Sequence, residues 1–366
     1  MDINYHYFVI KTLACHAGFK EKDAQTIAYY SQQVDNYNLR EPLCVDRKPP
    51  AFFFDGRYAK KAAKDLWFVM PHPTGINVAA SLGKEYRHTS LAPFHFIPAL
   101  AFDELEKKPD FSRKDYRCIP ACEESALLIH EIAREAVEEV KKKKCTRSLM
   151  QLGMALHTYA DTYAHCGYSG LDGWENRAVI RKAYNRQTGE EEISEEEREF
   201  FERLPHIGHG NAGIAPDITV YQIDVACQKD EADTELSLHI ARDNLEWFLQ
   251  CAREILEMLC EAAGTGMWDN EAWDTFQEIL AKGMQTPAYD EMRKKALIPH
   301  WKKLFPDIKY KYEKNQRFFL TEKKRKDKGI WPVTQVTKEF FLYNELSYRR
   351  AERVLGVERL KEYCLD

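Results

Sequence analysis

The stretch MALHTYADTYAHCGYSG, residues 154–170, spaces His157, Asp161 and His165 at four-residue intervals in an alanine-rich setting. Positions i, i+4 and i+8 stay near one face of a helix, drifting about 80° around it while rising about 12 Å. The two imidazoles are then too far apart to share one ion, because each ligand bond is only about 2 Å long. Asp161 stands between them with two carboxylate oxygens. The economical arrangement is a carboxylate bridging two metals, with His157 on one and His165 on the other. Two-metal hydrolytic centres hold their ions about 3.5–4 Å apart, which such a bridge spans. Ala155, Ala160 and Ala164 flank the row and let neighbouring helices bring further ligands. The alternative is a row of ordinary polar side chains, but burying three ionisable groups in an apolar helix needs a compensating partner.

The helix that carries this row sets the fold expectation. It is capped at Thr146 and runs to about His165. Before it, residues 122–144 (CEESALLIHEIAREAVEEVKKKK) are amphipathic, with acids early and lysines last, as the helix dipole favours. Residues 21–36 place Ala24, Ile27, Ala28 and Val34 on roughly one face and end near Asp35. Residues 231–263 read as another long helix, and shorter ones cover 192–203, 270–283, 287–304 and 335–354. Strand-like alternation is confined to fragments such as AFFF and PFHFIP. The expectation is an all-α protein, a multi-helix bundle with long connecting loops, notably over 37–120. Connections of that length inside a compact domain are often functional. Residues 1–285 make up the helical metal-binding domain; 286–366 form a basic, aromatic helical extension packed on it, or part of one single domain.

The formal net charge of -5 is too small to nominate a polyanionic or membrane partner. No run of about eighteen apolar residues occurs, so no transmembrane helix is expected. The N-terminus lacks a basic leader and an extended apolar core, and cysteines occur without a CxxC pair; a cytoplasmic protein with reduced thiols follows. Residues 292–328 hold fourteen Lys or Arg against four acids, interleaved with Trp301, Phe305, Tyr310, Tyr312, Phe318 and Phe319. A basic aromatic surface suits phosphodiesters or anionic lipid heads, whereas a solvated amphipathic face is the commoner meaning of such a run.

Several familiar motifs fail on inspection. GHGNAG at 208–213 matches GxGxxG but follows an acidic helix instead of a strand, which argues against a dinucleotide fold. HEIAR at 130–134 has Arg134 where a second zinc-binding histidine is required. Glu85 and His88 make one ExxH where a di-iron bundle needs two. CGYSG is not a GxSxG elbow.

Candidates to complete the coordination are few. SQQVDN offers Asp35 at a helix end, and LAPFHFIPAL offers His95 between prolines. LPHIGHGNAGIAPD offers His206, His209 and Asp217 in a glycine-rich loop, and DINYHYF offers Asp2 and His6.

This ordered set resembles the zinc-dependent phospholipase C and P1 nuclease superfamily: an N-terminal His, an Asp ending an early helix, a later His, HxxxD in a long helix, then His and Asp. It is more similar still to an uncharacterised bacterial domain family with an HTYAD-type helix and a GHG loop. The resemblance implies a fold of packed helices and a cluster of two or three Zn2+ ions that cleaves phosphate esters. It implies His157 and Asp161 as zinc ligands, with Asp35 and His95 joining them at one metal. It implies His165, His209 and Asp217 around a second, bridged by Asp161, and His6 at a third. Members commonly begin at a mature tryptophan whose amino group and carbonyl bind zinc. This chain begins Met-Asp, so either Asp2 substitutes or the third site is missing. The closing His and acid also sit eight residues apart here instead of one helical turn.

The expected activity is therefore that of a metal-dependent phosphoesterase using a zinc-activated hydroxide. Asp35 and Asp161 are the candidate catalytic residues, Asp35 either ligating or orienting the attacking water. The substrate would be a phosphate-containing small molecule, lipid or nucleic acid, and no protein partner is evident. Two other readings stay open: a non-catalytic helical protein with a structural metal site, and an effector or toxin carrying this hydrolase domain, secreted without a leader.

Overall fold

The computed structural model describes residues 1–227, 239–285, 291–312, 317–320, 325–327 and 331–363. Its principal helices are α1 (Ile10–His16, continuing a π-helical turn Asn4–Val9), α2 (Glu21–Asn36), α3 (Leu127–Lys142) and α4 (Thr146–Ala164). They are followed by α5 (Glu195–Glu202), α6 (Asn244–Ala263), α7 (Asn270–Met284), α8 (Glu291–Leu304) and α9 (Lys338–Leu355). The helical periodicities at 21–36 and from Thr146 to about His165 form as expected, whereas the helix read over 122–144 begins only at Leu127 and ends at Lys142; each turns its apolar face inward.

The all-α expectation is wrong, and so is that of a purely helical bundle. Strands β1 (Leu43–Val45), β2 (Ala59–Ala63), β3 (Leu66–Val69), β4 (Ala178–Asn185), β5 (Tyr221–Cys227), β6 (His239–Asp243), β7 (Arg325–Asp327) and β8 (Trp331–Thr334) form two sheets. One has the order β2-β3-β1-β8-β7 and the other β4-β5-β6. The protein is mixed α and β. Its strands hide from a period-two reading for physical reasons. β1, β7 and β3 are three or four residues long, too short to alternate. In β4 the register with β5 shifts between Ile180 and Lys182, which moves the inward positions halfway along the strand. The 37–120 connection contains β1, β2, β3 and several single-turn helices, so it is not one long loop. AFFF lies in a helical turn, Ala51–Asp55, and Phe94 of PFHFIP ends another.

The helix read over 231–263 begins only at Asn244. Residues 239–243 pair antiparallel with β5, and the Asp243 side chain accepts from the N–H groups of Leu245 and Glu246, ending the strand and starting α6. Residues 231–238 of that reading lie outside the described residues, as do 287–290 of the one over 287–304 and parts of 292–328. Among the described aromatic residues of that segment, Trp301, Phe305, Tyr310 and Phe318 are buried. Trp301 donates to Asn4 Oδ1 at 2.7 Å and stacks on Phe8. These rings are core, not a stacking surface. Among the described residues no helix is long and apolar enough to cross a membrane.

Three apolar clusters frame the site. The largest joins α1, α3, α4 and α6 through residues such as Phe8, Ile132, Leu156 and Phe248. A tyrosine-rich cluster, with Tyr30, Tyr37, Phe53 and Tyr348, fastens α2 and α9 to the larger sheet. The third packs β4 and β5 against the loop through Ile218 and Phe96. At Gly153 α2 comes so close to α4 that an added Cβ would lie 2.3 Å from the Ile27 carbonyl oxygen. That approach sets the end of α2, and with it Asp35, over the histidine–aspartate row.

Candidate metal centre

Along α4, His157 and Asp161 are fully buried. His165 is the C-cap, its N–H bonded to Asp161 O at 2.8 Å. The helix ends there, and the His165 ring leaves the helix surface to reach the loop of Asp217. Around these three, other elements deliver the rest. His6 comes from the first helical turn, Asp35 from the last turn of α2, and His95 from the residue closing the helical turn Ala92–Phe94. His209 and Asp217 come from the loop between α5 and β5, bent by Gly208 and Gly213, both at φ +55°. A Cβ at Gly208 would stand 2.4 Å from the Phe96 ring, so glycine is required on two counts.

All eight candidate side chains, His6, Asp35, His95, His157, Asp161, His165, His209 and Asp217, converge on one cluster; three groups of them, two sharing His157, could each hold a metal ion. Asp161 is the hub. Its Oδ2 lies 3.0 Å from His95 Nδ1, 3.2 Å from His157 Nε2 and 3.7 Å from His165 Nδ1. Its Oδ1 lies 3.0 Å from His6 Nε2. Asp35 Oδ1 is 3.7 Å from His157 Nε2 and 3.9 Å from His95 Nδ1, and those two nitrogens are 3.3 Å apart. Ligands about 2.0–2.1 Å from a tetrahedral ion sit roughly 3.3 Å from one another. The His95, His157 and Asp161 atoms match that spacing, and Asp35 stands somewhat farther off. On the other side, Asp217 Oδ1 is 3.0 Å from His165 Nε2, and its Oδ2 is 3.4 Å from His209 Nε2.

Three of the histidines are oriented by backbone carbonyls. His95 Nε2 donates to Thr74 O at 2.7 Å, His165 Nδ1 to His95 O at 2.7 Å, and His209 Nδ1 to Gly213 O at 2.8 Å. A carbonyl only accepts, so each proton is on that nitrogen, and the other nitrogen of a neutral ring carries its lone pair toward a carboxylate. Two acceptors facing each other are repulsive unless a cation or proton lies between. Burial lowers the pKa of His6 and of His157 to about 4, despite Asp161 pulling both upward, and lowers that of His209. These rings are neutral at ordinary pH, the form that binds metal. Burial also lowers His95, but its hydrogen bond to Asp161 and the Asp161 and Asp35 charges outweigh it and raise it overall.

The carboxylates differ among themselves. Burial raises the Asp35 pKa. For Asp161 and Asp217 burial acts the same way, but the amino group of Met1 and the surrounding histidines hold both well below the usual carboxylate range. That amino group escaped the sequence reading. It sits 2.7 Å from Asp161 Oδ1 and 3.0 Å from Asp217 Oδ1. Burial disfavours its charge, yet Asp161, Asp217 and Asp35 push its pKa up to about 11. A cation therefore stands where the carboxylates are most crowded. Among the described residues, no lysine or arginine pairs with any of the three carboxylates. Asp2, offered as a substitute for the family's terminal residue, instead accepts the Tyr5 N–H through Oδ1. His206 is outside the cluster, its Nδ1 2.7 Å from Asn211 Oδ1.

The site is buried but open on one edge. His6, His95, His157, Asp161 and His165 are sealed, whereas Asp35 is 18% exposed, Asp217 20% and His209 14%. The fold and this site define a mixed α/β protein built round a buried histidine–aspartate cluster able to hold metal ions. Across residues 1–347 the chain matches the model of DUF6765, a family of unknown function, and it belongs to that family. No curated protein and no solved structure matches it.

Proposed function

We propose that this protein is a metal-dependent hydrolase of phosphate esters, with two or three zinc ions held by the Asp161 cluster. The single observation that carries the reading is the set of ligand-like spacings among His95 Nδ1, His157 Nε2 and the Asp161 carboxylate. Imidazole and carboxylate donors suit zinc. Asp35, His95, His157 and Asp161 would hold one ion, His165, His209 and Asp217 a second, bridged by Asp161, and His6 would serve a third. When bound, the ions lower the pKa of water toward neutrality and neutralise charge on phosphate oxygens.

The chain's own residues divide the remaining work. Asp161 fixes the spacing of the two halves of the cluster. The carbonyls of Thr74, His95 and Gly213 hold three rings in their ligating tautomers. In the alternative in which Asp35 does not ligate, its place at the open edge lets it orient a water or take its proton. A structural site is closed, whereas this one keeps an edge that solvent reaches, which favours catalysis over a purely structural role. The choice of phosphate esters rests on the resemblance to the phospholipase C and P1 nuclease superfamily.

Elemental analysis of the purified protein, followed by turnover of bis-nitrophenyl phosphate with and without chelator, tests the reading. Two or more zinc per chain with chelator-sensitive turnover supports it. Folded, active protein without metal refutes it.

A further inference from the structure

Away from the metal centre, a groove of about 570 Å³ runs between α3, α4 and α9. One wall is a stripe along α4, Arg147, Gln151 and Met154, on the face that buried Thr158 continues inward, about 100° from His157. The opposite wall comes from α9. The groove is rich in cations, and most have partners. Arg147 and Arg349 share Glu345, and Arg353 is held between Glu131 and Glu135.

Arg350 is the exception among the described residues. It is only 8% exposed, yet among them its one hydrogen bond is from Nη1 to Thr158 Oγ1 at 3.2 Å, and it faces the Phe94 ring at 6.0 Å. A guanidinium carries five N–H donors and stays charged in proteins. Glu135, the carboxylate whose charge bears on it, is already paired with Arg353; burying a guanidinium without a direct carboxylate partner is costly, and such groups are normally paired or hydrogen-bonded throughout. The Thr158 hydroxyl donates to Met154 O and accepts only the one Arg350 N–H. The remaining donors have the groove to face.

We propose that this groove is a binding site for a small oxyanion, a phosphate or carboxylate group received by the Arg350 guanidinium, with Met154 and Leu346 beside it for an apolar portion. The forked donors of arginine match both anions bidentately. Glu135, Glu138 and Glu139 line the same groove and disfavour a long polyanion, so the ligand is a small molecule and not a nucleic acid. The proposal does not depend on the metal centre.

Thermal unfolding and calorimetric titration of the full chain with inorganic phosphate and with acetate test it, using wild type, Arg350→Met and Asp161→Asn. Either anion should raise the unfolding midpoint of wild type and of Asp161→Asn but not of Arg350→Met. The binding constant should fall on the order of ten- to a hundredfold in Arg350→Met, as expected for lost hydrogen bonds to charge. Response to phosphate alone or acetate alone names the class of ligand. If Arg350→Met does not fold, Arg350→Lys keeps the charge without the fork and should bind more weakly than wild type. Equal responses in wild type and the Arg350 variant, or no response to either anion, overturn the site. A response lost in Asp161→Asn but kept in Arg350→Met places the anion at the metal centre and overturns it as well.

Discussion

His95 Nδ1 and His157 Nε2 lie 3.3 Å apart although 62 residues separate them in the chain. Neither nitrogen has a backbone partner, and both face the same carboxylate oxygen, Asp161 Oδ2, at 3.0 and 3.2 Å. Such a triangle of ligand atoms could hold a metal ion.

Replacing the hub should empty the cluster. Asp161→Asn keeps the volume and removes the charge, and it should lose most bound metal together with turnover. Changes to outer-shell partners typically cost about 10–100-fold in metal affinity or activity, and loss of the hub should exceed that. Metal stoichiometry and turnover, measured on the same preparation, check this. Unchanged stoichiometry would contradict a bridging role.

Chelation should destabilise the fold. An ion that binds only the native state adds about 4 kcal/mol at a free concentration a thousand times its dissociation constant. The unfolding midpoint should therefore fall on adding chelator and recover with zinc. In Asp161→Asn the chelator should have little effect.

The close approach of α2 to α4 should tolerate no side chain. Gly153→Val puts a Cβ where only 2.3 Å separates it from Ile27 O, so the helices must part. A cost of about 1–3 kcal/mol is typical of overpacking, and backbone contact places this case at the upper end. Since the same contact sets Asp35 over the row, metal affinity should drop with stability. A stable variant with normal metal content would contradict the packing argument.

Acid should weaken the protein in part through His72, which is none of the eight cluster residues, though it packs beside Phe94. Burial lowers its pKa to about 3, between the Phe94 and Tyr348 rings. It is neutral in the fold, while in the unfolded chain it gains a proton below its ordinary value near 6.5. Stability is therefore complete above that value and is lost progressively as pH falls toward 3. Urea unfolding of metal-free protein from pH 7 to pH 4 should show this slope, and His72→Phe should flatten it. An identical slope in both would contradict the assignment.

Much of the site was legible because its residues are rare and chemically conspicuous. Twelve histidines make each one in a suggestive setting informative, and the His157–Asp161–His165 spacing follows directly from helical geometry. The Met1 amino group was missed even though the resemblance points to a terminal amino group, since nothing local marks a terminus that folds across to α4. The same is true of the orienting carbonyls of Thr74, His95 and Gly213, which depend on tertiary approach. The sheets were missed where strands are short or bulged, as in β1 and β4, and where pairing joins distant segments, as Cys44 with Val333. Arg350 looked like one charge among many on a helix, and only its burial sets it apart.

The central claim is that Asp161 is shared between cations. Anomalous diffraction at the zinc edge, from crystals of the protein purified without chelator, tests it most directly. The account predicts at least two peaks flanking the Asp161 carboxylate, one toward Asp35 and His95 and the other toward Asp217 and His209. A clean map with no peak there, in zinc-supplemented protein whose eight side chains keep these positions, would contradict it.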